Sequence, residues 1–235
     1  MSNIIIRNIP NSITCLNIAS GVMAIICALR GETEMWGMEA YNWAYIFIGI
    51  AAVMDFLDGF AARLLHAYSD MGKELDSLCD CVSFGVAPAM ILFSTLEQYG
   101  NPQWISWAAL IIPVFGALRL AKFNIDTRQT SSFIGLPIPA NAIFWIGYTA
   151  LCHQQAGSLC EWWFVLPVLL LESWLMLSPL PLFSLKFKTW GWKGNGFRWV
   201  LIAAAVVLVA FAGVPGLMWL IITYLILGLF ALIKN

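Results

Sequence analysis

The sequence predicts an all-α polytopic membrane protein, and three observations predict it. The 235-residue chain is 61% hydrophobic and only 11% charged, whereas an ordinary soluble domain carries roughly 25% charged residues. Its apolar residues gather into eight runs that approach or reach the ~20 residues a helix needs to cross a bilayer. Lysine and arginine fall almost wholly on one side of those runs, as the positive-inside rule requires. A net charge near −1 offers no basic surface for nucleic acid.

The spans lie at about 11–29, 40–63, 74–96, 104–123, 137–153, 161–182, 198–212 and 214–233. The first opens Pro10-Asn11-Ser-Ile-Thr14, a proline at a helix start with polar residues in the first turns. Thr14, Asn17 and Gly21 follow at i, i+3/i+4 and share a stripe that faces protein or a polar cavity rather than lipid. Helix-on-helix packing alone would also use such residues. A tight polar turn around His66–Asp70 joins the second span to the third. The fourth ends Gly116-Ala-Leu-Arg119-Leu-Ala-Lys122-Phe-Asn124, with Arg119 and Lys122 on one face. They serve either as membrane-edge anchors or as ligands for an anion. The fifth enters through Gly135-Leu-Pro137-Ile-Pro139-Ala-Asn141, whose prolines and glycine leave backbone groups free to line a cavity. The sixth carries Glu172, an intramembrane carboxylate to which the sequence assigns no role. Gly213-Val-Pro215 leaves room only for a tight turn, so the last two spans form a hairpin. One membrane-embedded domain over 1–235 is expected, with a core at about 10–182 and the hairpin at about 198–233.

With the N-terminus inside, the cytoplasmic segments hold Arg7, Arg63, Lys73, Arg119, Lys122, Arg128, Lys186, Lys188, Lys193, Arg198 and Lys234, eleven of the twelve basic residues. Only Arg30 falls outside, beside Glu32, Glu34 and Glu39. Both termini and the 55–80 segment are therefore expected on the cytoplasmic face of the cell (inner) membrane. The start of the chain shows no small-residue cleavage site of a secretory leader. The six cysteines are expected as small buried hydrophobes, although Cys152 and Cys160 flank a short outer loop that a disulfide could close. His66 and His153 are expected to be solvated or interfacial. Tryptophans near the span ends, among them Trp36, Trp43, Trp104, Trp107, Trp162, Trp163, Trp190 and Trp192, suit interfacial belts.

The chemistry is concentrated between Asp55 and Asp80. Asp55 and Asp58 are i, i+3 neighbours on one helix; Gly72, Asp76 and Asp80 are i, i+4 neighbours on the next. Four carboxylates inside apolar segments repel one another and cost several kcal/mol each to desolvate unless something cationic lies between them. Hard divalent ions with oxygen ligands fit, and two would balance four carboxylates. Gly59 and Gly72 lie within about a turn of a carboxylate, where a missing side chain lets a ligand approach the helix. Arg63, one turn from Gly59, could hold a phosphate.

This arrangement, D-x2-D-G-x2-A-R-x8-G-x3-D-x3-D, resembles the signature of the CDP-alcohol phosphotransferase family, with Asp55, Asp58, Gly59, Ala62, Arg63, Gly72, Asp76 and Asp80 at its fixed positions. The Arg119-Leu-Ala-Lys122-Phe-Asn124 and Gly135-Leu-Pro137-Ile-Pro139-Ala runs resemble the phosphatidylserine synthase branch of that family. So do Ser83-Phe-Gly85-Val-Ala-Pro88-Ala and the Leu175–Lys188 segment. The resemblance is strong over 10–140 and weak beyond 190.

The resemblance implies transfer of a phosphatidyl group from CDP-diacylglycerol to the hydroxyl of L-serine, with CMP leaving. By it, Asp55, Asp58, Asp76 and Asp80 hold two Mg²⁺ or Mn²⁺ ions, and Asp80 is the general base. Thr14, Gly59, Ala62, Arg63 and Gly72 approach the nucleotide and its diphosphate. Arg119, Lys122 and Asn124 are candidates for the serine carboxylate. A homodimer is implied by the same resemblance and by no heptad pattern. Glycerol 3-phosphate or an inositol derivative as acceptor is the alternative, since either would also use basic residues. A divalent-cation transporter would need intramembrane carboxylates too, but residues 160–235 hold no second aspartate cluster of the kind an inverted repeat would supply.

Overall fold

The computed structural model describes residues 4–125, 133–155, 159–183, 191 and 195–234. Among them, eight long helices follow in order: α1 Ile4–Arg30, α2 Ala40–Leu64, α3 Asp70–Gln98 and α4 Gln103–Ile125, α5 Ile138–Gln154, α6 Trp162–Leu177, α7 Gly196–Ala212 and α8 Gly216–Lys234. The first four are each long and apolar enough to cross a membrane, and α6, α7 and much of α8 are shorter apolar helices. Large apolar side chains such as Phe56 and Phe211 point outward, the arrangement of a protein whose solvent is lipid. The protein is an all-α membrane protein.

Hydroxyl side chains fold back onto their own helices. Thr14, Thr95 and Thr149 donate to the carbonyls of Pro10, Ile91 and Trp145 at 2.8–3.0 Å, so these polar groups need no water. In α1, residues Thr14, Asn17, Gly21, Ala24 and Ala28 form the buried stripe. A Cβ on Gly21 would press into Ser83 of α3, which is why a glycine stands at that crossing. Helix α1 begins at Ile4, earlier than the expected 11. Pro10 removes a single bond near that end, and the turns on either side of it hold.

The α2–α3 turn is tightly built. Ala67 N donates to Ala62 O at 3.0 Å and His66 N to Arg63 O at 3.4 Å, the paired bonds of a Schellman ending. The left-handed position, usually glycine, is His66 with φ 50°. Ser69 then caps α3 by accepting from Gly72 N at 3.0 Å, which starts that helix at Asp70 rather than at the expected 74. Just past Asp80, α3 widens into a π-helical stretch over Cys81–Val86, a device that re-aims side chains without ending a helix. In α4 the ladder is broken at Ala109–Leu110, where Pro113 cannot donate to the Ala109 carbonyl.

The start of α5 and the end of α6 are stitched together. Strands β3 (Phe133–Ile134) and β4 (Pro181–Leu182) pair antiparallel. Leu136 N donates to Leu175 O and Gly135 N to Leu180 O, both at 2.9 Å. Gly135 has φ 76°, and a Cβ there would press on the Met176, Leu175 and Ser178 carbonyls. Helix α6 ends at Leu177, short of the expected 182, because Pro179 holds Ser178 extended at ψ 152°. At the opposite end, β1 (Glu34–Met35) and β2 (Met38–Glu39) form a hairpin whose Trp36 stacks edge-on against Trp43. Gly213, with φ 65°, turns the α7–α8 hairpin.

Several expectations are corrected. His153, expected to be solvated or interfacial, is half-buried, stacked on Tyr41 at 4.2 Å with its ring nitrogens 3.3–3.4 Å from the Thr95 and Tyr99 hydroxyls. Cys15 is exposed and Cys81 half-buried, while Cys27, Cys79, Cys152 and Cys160 are buried free thiols. Arg128, Lys186, Lys188 and Lys193 of the topology argument, and Trp190 and Trp192 of the belt, lie outside the described residues.

Candidate active site

The helical periods of α2 and α3 aim their acidic stripes at each other across the turn. One carboxylate oxygen from each of Asp55, Asp76 and Asp80 lies within 4.8 Å of the other two. Asp80 and Asp58 are buried, Asp55 and Asp76 half-buried. Asp58 stands outside that trio but beside it. With Asp76 it lines a cavity of about 230 Å³ bounded by Thr14, Gly59, Ala62 and Gly72. Four of the five residues expected at the nucleotide therefore share one cavity with two of the carboxylates. Arg63 does not line it and is exposed on the last turn of α2.

The cavity wall has features that packing does not explain. A Cβ on Gly59 would meet no protein atom within 4 Å, so nothing in the fold demands glycine there. On Gly72 it would lie 3.0 Å from Asn11 Oδ1 and Ser69 Oγ. Asp58 Oδ2 and Asp76 Oδ1 are buried with no hydrogen-bond partner. Buried acceptors are almost always satisfied, and an unpaired buried carboxylate is costly. The donor set is all oxygen, clustered and under-satisfied, which fits hard divalent cations. Asp55, Asp76 and Asp80 are the residues that could hold one such ion, with Asp58 at its flank.

Asp80 has a supporting contact that the motif does not contain. Asn17 of α1 donates its amide Nδ2 to Asp80 Oδ1 at 3.3 Å, and both are buried. Ser83 Oγ in the π-helical stretch donates to Asn17 O at 3.1 Å. The signal for Asn17 was its place on the Thr14 stripe; which carboxylate it would meet depends on how α1 lies on α3.

The three candidate acceptor residues separate. Arg119 is buried, its guanidinium 5.6 Å from the Phe123 ring and its Nε without a partner. Lys122 is exposed and donates to Leu177 O at 3.2 Å, capping α6. Asn124 ties α4 to α3, donating to Ser77 Oγ and accepting at its carbonyl from Lys73 Nζ, both at 2.9 Å. Of the three, Arg119 alone is buried with an unpartnered donor.

Comparison with known proteins gives a consistent picture. The sequence profile of the CDP-alcohol phosphatidyltransferases matches residues 7–185. The chain is similar to the CDP-diacylglycerol–serine O-phosphatidyltransferase of Mycobacterium leprae (strain TN), 38% identical over 182 residues, 74% of this chain and 57% of that protein. The enzyme of the same name from Bacillus subtilis (strain 168) is 43% identical over 131 residues, 56% of this chain and 69% of that protein. For that of Methanocaldococcus jannaschii the figures are 40% over 149 residues, 63% and 64%. The matched stretch thus spans little more than half the length of the mycobacterial relative.

Proposed function

The chain belongs to the CDP-alcohol phosphatidyltransferase family, and from that premise we propose that it transfers the phosphatidyl group of CDP-diacylglycerol to the hydroxyl of L-serine, yielding phosphatidylserine and CMP. The observation that carries the proposal is the convergence of Asp55, Asp76 and Asp80 within 4.8 Å beside a cavity walled by Gly59, Ala62 and Gly72. Three relatives named for the serine reaction support the acceptor.

Each residue has a role in this reading. Asp55, Asp58, Asp76 and Asp80 hold two divalent cations, Mg²⁺ or Mn²⁺. Such ions, when bound, neutralise a diphosphate and stabilise a departing phosphate group. Gly59, Ala62, Gly72 and Thr14 let the nucleotide lie against the helix backbones, and Arg63 reaches the diphosphate from the rim. Asp80 takes the proton from the serine hydroxyl, and Asn17 holds that carboxylate in place. Arg119 pairs with the serine carboxylate in a bidentate fork. Lys122 and Asn124, occupied with α6 and α3, brace the α4 end that carries it. The chain is one membrane-embedded domain of the cell (inner) membrane, with termini and site cytoplasmic, and works as a homodimer.

The test is CMP release by the detergent-purified protein supplied with CDP-diacylglycerol, Mn²⁺ or Mg²⁺, and serine, glycerol 3-phosphate or inositol in turn. Serine-dependent release that falls by at least ~10²-fold in Asp80→Asn, the scale of lost general-base catalysis, is expected. Release with a different alcohol would reassign the acceptor and with it Arg119. Full activity in Asp80→Asn would remove the general-base assignment, and metal binding without CMP release under any acceptor would favour ion transport.

A further inference from the structure

The cavity beside the carboxylates is layered. Three helices line it, and each gives it two residues one turn apart: Thr14 and Pro10 of α1, Asp58 and Ala62 of α2, Asp76 and Gly72 of α3. The first of each pair is polar or acidic, and the second is small and uncharged. Asp58 stands six residues from the end of α2 and Asp76 six from the start of α3, so both lie at one depth. The small residues lie about 5.4 Å nearer the α2–α3 turn. That turn closes the cavity at the same end with Ala67, Tyr68 and Ser69.

Tyr68 is the one aromatic ring on this wall. The residues on either side of it are fixed: Ala67 N is tied to Ala62 O, and Ser69 caps α3 through Gly72 N. The tyrosine side chain between them is 68% exposed. Its ring pairs with no other ring, and its hydroxyl with no hydrogen-bonding group, among the described residues. A rigid turn therefore presents a flat, unpartnered ring to the uncharged level of the cavity.

A nucleotide has the same two levels. Its phosphates belong with the cations that the carboxylates hold, and its base, one ribose further on, has two flat faces to cover. An aromatic ring opposite small residues covers both. We propose that Tyr68 stacks on the pyrimidine ring of the donor's cytidine and holds it against Pro10, Ala62 and Gly72. This rests on the phosphatidyl-transfer reading and adds to it a residue at one of the unspecified positions of the D-x2-D-G-x2-A-R-x8-G-x3-D-x3-D signature. Stacking accepts any flat base, so Tyr68 contributes affinity and not the choice of cytosine.

The experiment is isothermal titration of CMP into the detergent-purified protein with Mg²⁺ present, for wild type, Tyr68→Ala and Tyr68→Phe. Ribose 5-phosphate serves as the ligand without a base. Tyr68→Ala is expected to weaken CMP about tenfold or more, the scale of one base on one ring, while Tyr68→Phe binds as wild type does. Ribose 5-phosphate should bind all three proteins equally. The ligand-free melting temperature of Tyr68→Ala should match wild type, since most of the ring lies outside the packed protein.

Unchanged CMP affinity in Tyr68→Ala, the result for an aromatic that only anchors the protein at the membrane surface, would overturn the stack. Continued CMP release by that protein would leave the transferase reading standing. A loss equally large in Tyr68→Phe would assign the hydroxyl rather than the ring, and a loss shared by ribose 5-phosphate would place Tyr68 at the phosphate; either overturns the proposal. Wild-type protein that binds CMP no better than ribose 5-phosphate would remove the nucleotide from this cavity, and the transferase reading with it.

Discussion

Asn17 and Asp80, separated by 63 residues in sequence, meet through a buried hydrogen bond of 3.3 Å from the Asn17 amide to the Asp80 carboxylate. Asn17 is held in turn by Ser83, which donates to its carbonyl, and by the close crossing of Gly21 on Ser83. The contact joins the first helix to the acidic centre and gives Asp80 a neutral donor among negative neighbours.

Removing that donor leaves a buried carboxylate oxygen short of a partner. A hydrogen bond to a charged group contributes about 1.5–3 kcal/mol, so Asn17→Ala is expected to lower kcat by roughly 10- to 100-fold. KM for the nucleotide lipid should change far less, because Asn17 does not line the cavity proposed for the nucleotide. Steady-state CMP release reads both constants. An equal effect on KM would mean that Asn17 touches the donor itself.

Divalent cations should stabilise the fold as well as support catalysis, since the buried oxygens of Asp58 and Asp76 lack partners without them. At an ion concentration 100 times the dissociation constant the gain is about 2.7 kcal/mol. Chelation is expected to lower the melting temperature and abolish CMP release, with both restored by Mn²⁺ or Mg²⁺. Asp76→Asn should melt at nearly the same temperature with and without the ion. A melting temperature insensitive to divalent ions in the wild type would contradict the carboxylate cluster as an ion site.

Two glycines should respond in opposite ways. A side chain at Gly59 meets open cavity, so Gly59→Val is expected to fold normally and raise KM for CDP-diacylglycerol about tenfold or more, by occupying ligand space. A side chain at Gly147 would collide with the Met218 backbone, where α5 crosses α8. Gly147→Val is therefore expected to destabilise the protein by about 1–3 kcal/mol through overpacking. Thermal melting paired with kinetics separates the two outcomes.

The turn between the acidic helices carries backbone strain at His66, whose φ is 50°. A left-handed conformation costs a non-glycine residue roughly 1–2 kcal/mol, and the His66 side chain is exposed. His66→Gly is expected to stabilise the protein by up to about 1 kcal/mol after the added freedom of the unfolded chain is deducted. Melting curves of the two proteins check it, and a fall in stability would mean that the imidazole makes a contact worth more than the strain.

Hydropathy and spacing were enough to find the eight helices and the acidic motif, because both are local. A helix that must bury its backbone bonds in lipid declares itself by a run of apolar residues, and i, i+3/i+4 spacing places side chains on one face without reference to any other helix. The Thr14, Asn17 and Gly21 stripe was legible for the same reason. Helix ends were less so: α1 runs through Pro10, and α6 stops at Leu177, before the extended Ser178 and its following proline.

What the tertiary structure alone decided was which faces meet. Helix rotation and depth are set by close crossings such as Gly21 on Ser83 and Gly147 on Met218, and these involve residues far apart in the chain. They put Asp55, Asp76 and Asp80 into one trio with Asp58 at its flank, and brought Asn17 to Asp80. They left Arg63 at the surface and turned Lys122 toward α6, while Arg119 went inward. A single helix carries its own periodicity in its sequence, whereas the angle at which two helices cross is a property of the pair, fixed by how closely their backbones can approach.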